Sequence, residues 1–152
     1  MTQVQNFVWP IGEDLNVQLR YKEGPTEATA TIVNLSSGFA VRMDIVIPAT
    51  KLRIYTFNSA AIADVDPLVA SAQPDNTLEG VLTAGTGETP NIDIKVPRSI
   101  LLPGGPVYDA YVGVPSVTMF NYDVFLRNTG TDRQSKILKG SITIEESYTL
   151  WV

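Results

Sequence analysis

Phe120-Asn-Tyr-Asp-Val-Phe-Leu-Arg127 decides the fold. Phe120, Tyr122, Val124 and Leu126 fall on one face of an extended chain, and Asn121, Asp123, Phe125 and Arg127 on the other. Side chains alternate across a strand, so an apolar–polar period of two reads as a half-buried strand with one face on a core. Downstream, Asn128-Thr-Gly-Thr-Asp132 has the composition of a hairpin connection. It leads into Lys136-Ile-Leu-Lys-Gly140 and Ser141-Ile-Thr-Ile-Glu145. Upstream, the same alternation marks Leu15-Asn-Val-Gln-Leu-Arg-Tyr21, Val41-Arg-Met-Asp-Ile-Val-Ile47 and Ile92-Asp-Ile-Lys-Val96. No window follows a 3.6-residue period with comparable strength.

Turn residues separate these runs. Lys22-Glu-Gly-Pro25 closes the strand ending at Tyr21, and Ser36-Ser-Gly38 divides a strand over Ala28–Leu35 from one over Phe39–Pro48. The expected fold is all-β, an antiparallel β-sandwich of Greek-key or jelly-roll kind, with about eight to ten strands. Two stretches interrupt the pattern. Ser59–Gly80 is rich in Ala, Asp and Pro and reads as a long loop, while Pro97–Pro106 reads as a tight corner with a helical turn over Arg98–Leu101. Nothing resembles a linker or an internal repeat, so residues 1–152 are expected to form a single domain.

Composition restricts the chemistry. The chain of 152 residues contains no histidine and no cysteine and carries a net charge of −5. A disulfide framework, thiolate metal sites and His-based triads are excluded. Eleven scattered basic residues against sixteen acidic ones disfavour nucleic acid and an anionic membrane surface as partners. The N-terminal residues lack the charged and apolar regions of a signal peptide, and no apolar stretch approaches the length of a membrane helix. A soluble, intracellularly made protein is expected.

Each candidate site has a plainer reading. Asp64-Val-Asp66 with Asp75 and Asn76 offers oxygen ligands for calcium, but it lacks the glycine and terminal glutamate of an EF-hand and reads as a solvated turn. Asp44, Asp93 and Asp123 lie on strands, where a glycosidase pair is conceivable, yet each alternates outward as surface charge. Gly85-Thr-Gly87 and Pro103-Gly-Gly-Pro106 lack phosphate-loop spacing. Ser135 and Lys136 are adjacent on a strand and point to opposite faces. No catalytic residue, cofactor or metal is therefore expected. Tyr21, Tyr55, Tyr108, Tyr111, Tyr148 and Trp151 are available for a sugar-binding platform.

Both chain ends are apolar: Phe7-Val-Trp-Pro10 near the start, and Tyr148 to Trp151-Val152 at the end. Such ends either close a core or offer surface to a partner. Phe125, on the polar face of its strand, is a further aromatic with a claim to an interface. The candidate interface residues are Phe7, Val8, Trp9, Phe125, Tyr148, Leu150 and Trp151.

Several of these segments resemble a known family. They are Gly12-Glu-Asp-Leu15, Val41-Arg-Met-Asp44, Pro97-Arg-Ser, Leu102-Pro-Gly-Gly105 before a Tyr-bearing strand, Phe120–Arg127, and Lys136-Ile-Leu-Lys-Gly-Ser-Ile-Thr-Ile144. In this order the chain resembles accessory structural proteins of tailed bacteriophages, particularly the β-sandwich domain at the start of baseplate upper proteins. The helical linker and receptor-binding extension of the full baseplate protein are not matched. The resemblance implies a virion structural protein, synthesised in the host cytoplasm. It would act by interface burial in a tail, baseplate, neck or head structure. Its partners would be other phage structural proteins in a symmetric assembly, with copies of itself among them. The alternative expectation is a carbohydrate-binding or adhesin-type β-sandwich module.

Overall fold

A computed structural model of the chain describes residues 2–59, 81–86 and 88–150. Most of the expected Ser59–Gly80 loop, with Asp64, Asp66, Asp75 and Asn76, lies outside the described residues, as does Trp151.

The described chain is mostly β. Its main sheet has six strands: β1 (Gln3–Val4), β2 (Phe7–Pro10), β6 (Phe39–Val46), β7 (Arg53–Asn58), β9 (Met119–Asn128) and β10 (Arg133–Glu145). The order is β1-β10-β9-β6-β7, with β2 continuing β1 along the same side of β10, and the sheet is not closed into a barrel. Two small sheets pair β3 (Leu15–Leu19) with β8 (Ile92–Val96), and β4 (Lys22–Glu23) with β5 (Thr31–Ile32).

Alternation places the core as the sequence predicts. Directly opposed residues share a face, and the register opposes Met43 with Val124 and Phe57, Ile45 with Tyr122 and Tyr55, and Phe120 with Ile142. Ile142 and Ile144 in turn oppose Phe7 and Trp9. These side chains share one hydrophobic cluster with Leu15, Val17 and Leu19 of β3 and Ile92, Ile94 and Val96 of β8. At roughly 1.5–3 kcal/mol per fully buried large apolar side chain, this cluster is the main term favouring the fold.

Three expectations need correction. The main sheet is mixed, because β1 and β2 run parallel to β10, whereas antiparallel pairing was expected throughout. Alternation fixes which side chains face inward but carries no information on the sense of pairing. The residues after Gly105 form a helix, α1 (Pro106–Val112), where a Tyr-bearing strand was expected. Proline at the first helical position has its φ already set and lacks an N–H that would go unbonded there, and Val107, Tyr108, Ala110 and Tyr111 reach the core. The helical turn expected over Arg98–Leu101 is present as a 3-10 helix. Finally, only Thr31–Ile32 of the expected Ala28–Leu35 strand is laddered.

Asn91 braces the chain beside β5. Fully buried, it receives the Tyr21 N–H on Oδ1 at 2.7 Å and donates from Nδ2 to the carbonyls of Tyr21 at 2.9 Å and Val33 at 2.8 Å. The side chain thus satisfies the Tyr21 N–H and the Val33 carbonyl, while the Tyr21 carbonyl also accepts from the Val33 N–H at 3.1 Å. At the β9–β10 turn, Asn128 Oδ1 accepts from the N–H groups of Gly130 and Thr131, and Asp132 adopts φ 57°. No helix among the described residues is long and apolar enough to cross a membrane.

Candidate functional site

The face of the main sheet turned away from the core holds its chemistry. Register builds it in rows across the strands. One row reads Thr56, Asp44, Asp123, Lys139 and Val4, from β7 to β1. The next reads Asn58, Arg42, Phe125 and Lys136. Asp44 directly opposite Asp123 is a like-charge pair, which by itself disfavours the pairing. Cations on the same face offset it. Arg42 Nε lies 3.2 Å from Asp44 Oδ1, which also accepts from the Thr56 hydroxyl, and Lys136 Nζ lies 3.4 Å from Asp123 Oδ2. The Lys136 ammonium also sits 5.5 Å from the centre of the Phe125 ring, a cation–π distance. A bulge at Lys136–Leu138 lets Lys136 and Lys139 both serve this face.

Asp44, Asp123, Lys139 and Val4 of the first row, with Lys136 of the second, floor a hollow of about 770 Å³. Lys51, Arg53, Lys136 and Lys139 on its walls outnumber Asp44 and Asp123, so the hollow is basic on a chain that is acidic as a whole. Burial raises the Asp123 carboxyl pKa above its usual value; the neighbouring Asp44 adds to this, while Lys136 and Arg42 oppose it. Lys51 and Lys139 have no ion-pair partner among the described residues. Both carboxylates are held by cations, and the arrangement suits charge recognition. No group of three or more metal-ligating side chains occurs among the described residues.

Beside the hollow runs the edge of the sheet. β1 and β2 pair with β10 on one side and with no strand on the other, among the described residues. Val4 is 66 % exposed and Val8 61 %. Both point to the same face as the hollow, since Val4 opposes Lys139 and Val8 opposes Thr143.

The predicted interface residues divide between core and surface. Trp9 is wholly buried, its indole N–H donating to the Glu13 carbonyl at 2.7 Å. Phe7 is half-buried and packs on Tyr122 at a ring separation of 5.5 Å. These two close the core. Val8, between them, points outward. Phe125 is half-buried under Lys136, Tyr148 is 99 % exposed, and Leu150 reaches the turn at Gly12. Asp44 and Asp123 meet, whereas Asp93 stands apart, on β8. Of the tyrosines considered for sugar binding, Tyr55 is in the core, and Tyr108 and Tyr111 pack against it from α1. Sequence reading missed Val4, Lys51 and Lys139; strand register brings Val4 to Lys139, and the turn between β6 and β7 brings Lys51 to the same hollow. No protein-family model matches this chain, and no curated protein matches its sequence.

Proposed function

We propose that the chain is a bacteriophage virion structural protein, an assembly module of a tail, baseplate, neck or head surface that works through protein–protein interfaces. The open β1–β2 edge, with Val4 and Val8 exposed on it, carries the reading. An unpaired edge is a template for another chain, and proteins that must avoid such contacts place charge there instead of valine. The resemblance of Phe120–Arg127 and Lys136–Ile144 to the baseplate domain supports the same class. We read the architecture as a β-sandwich in which β3 and β8 cover the inner face of the main sheet, since both contribute to one core. A sugar-binding module is the weaker reading, because Tyr55, Tyr108 and Tyr111 serve the core and form no aromatic platform.

Incorporation into particles tests the proposal. Val8→Lys and Phe125→Arg, each checked for wild-type circular dichroism and thermal unfolding, are supplied in place of the wild-type chain during particle production. The expected result is a folded protein that no longer enters particles. Normal incorporation of both variants overturns the reading.

A further inference from the structure

The outer face of β10 carries opposite charges at Lys139, midway along the strand, and at Glu145, its last residue. Lys139, Ser141, Thr143 and Glu145 alternate onto this face, as the pairing of Lys139 with Val4 and of Thr143 with Val8 requires. Lys139 projects into the basic hollow, which Lys51 also lines. At the end of the strand Glu145 opposes Pro10, and the Glu13 N–H bonds to the Pro10 carbonyl at 3.2 Å, bringing a second exposed carboxylate to that corner. Neither Glu13 nor Glu145 has an ion-pair partner among the described residues. Nearby carboxylates are already engaged: Glu146 accepts from the Tyr111 hydroxyl at 2.9 Å, and Asp14 from the Arg98 N–H at 2.8 Å.

Lys139 and Glu145 stand six positions apart on one strand, about 20 Å at the usual rise. They cannot meet within one copy. A second copy laid on this face with its β10 antiparallel would put Glu145 against Lys139 at both ends of the contact. The midpoint between the two charges falls at Ile142, whose neighbours on this face are Ser141 and Thr143. Val8, opposite Thr143, therefore lies close to the two-fold axis and meets its own counterpart. Val8 supplies an apolar contact beside Ser141 and Thr143 at the centre, with the charges at the rim, and a self-complementary patch is what a two-fold dimer needs.

We propose that this chain forms a two-fold homodimer through the outer face of its main sheet, with Val8 at the axis and Lys139 paired with Glu145 of the second copy. This rests on reading the chain as an assembly module, and it names one partner, a second copy.

The chain has no cysteine, so Val8→Cys introduces its only thiol. On mild oxidation Val8→Cys is expected to convert almost wholly to a disulfide-linked dimer, whereas a control thiol at exposed Ser99 does not. In light scattering, Lys139→Glu and Glu145→Lys each weaken dimerisation about tenfold, and combining both in one chain restores it. Raising ionic strength from about 0.1 M to about 1 M shortens the Debye length from about 10 Å to about 3 Å and weakens the wild-type dimer. A monomer at low salt, or a dimer in which Val8→Cys cross-links no faster than the control, overturns the proposal. Particle incorporation of Lys139→Glu separates the two readings. If the dimer fails while Val8→Lys and Phe125→Arg still block incorporation, assembly stands with another partner.

Discussion

Tyr122 donates its phenolic hydrogen bond to the carbonyl of Gln5 at 2.6 Å, across a strand that lies between them. The crossing depends on Gly140, which sits directly opposite Tyr122 on β10. A Cβ at Gly140 would stand 1.9 Å from the Gln5 oxygen, closer than any side chain tolerates. Residues 5 and 6, between β1 and β2, press against β10 here, held further by the Ser141 N–H donating to Asn6 Oδ1 at 3.0 Å. Burial of the hydroxyl drives the Tyr122 pKa well above its ordinary value, so it remains a donor across the working pH range.

Gly140→Ala is accordingly expected to displace the N-terminal strands. A loss of about 3 kcal/mol is expected, at the upper end of overpacking costs because the obstruction is backbone. Tyr122→Phe keeps the ring and removes one hydrogen bond, costing about 1 kcal/mol. Urea denaturation gives both values. Equal effects of the two substitutions would show that the glycine has no steric role.

Adjacent positions on β2 should respond in opposite ways. Trp9→Ala empties a wholly buried site and is expected to cost about 3–5 kcal/mol, whereas Val8→Lys, on the exposed face, changes stability by no more than about 0.5 kcal/mol. Thermal unfolding of the two variants distinguishes them. Comparable losses would contradict the assignment of faces.

Asn91→Leu removes the side chain that joins Tyr21 to Val33. It strands the part-buried Tyr21 N–H and Val33 carbonyl, and at about 1–3 kcal/mol for each it is expected to be among the most damaging polar substitutions. Hydrogen exchange should show the Tyr21 amide losing protection first. Unchanged protection at that amide would refute the role.

Asp123→Asn tests the electrostatics of the outer face. A carboxyl whose folded pKa is raised contributes stability below its unfolded value, and that contribution is lost as pH rises through the folded value. Lys136, Asp44 and Arg42 surround it, and the first has its nitrogen 3.4 Å from the carboxylate. From acid toward neutral pH, the urea midpoint of the wild type is expected to fall relative to that of Asp123→Asn. Parallel curves would show that burial does not penalise the charged form.

Much of this was legible from alternation. Phe120–Arg127 and Val41–Val46 occupy strands with the inward and outward residues assigned correctly, though β6 stops one residue short of the expected Ile47, and Asn128–Asp132 turns between β9 and β10. Asp44 and Asp123 point outward as a period of two requires, but their pairing follows from the β6–β9 register, which no local pattern encodes. The α1 helix escaped because Val107-Tyr-Asp-Ala-Tyr-Val112 suits either period, and the proline that begins it was read as the end of a corner.

Local alternation was enough to say which side chains go inward, because burial of alternating apolar residues allows only one face to meet the core. The sequence also removed histidine and cysteine chemistry outright. Tertiary structure alone decided the parallel sense of β1 and β2. It also decided the approach of Gln5 over Gly140 and the gathering of Lys51, Lys136 and Lys139 around two aspartates. These depend on which strands become neighbours and in what register, and that is settled by packing between residues far apart in the chain.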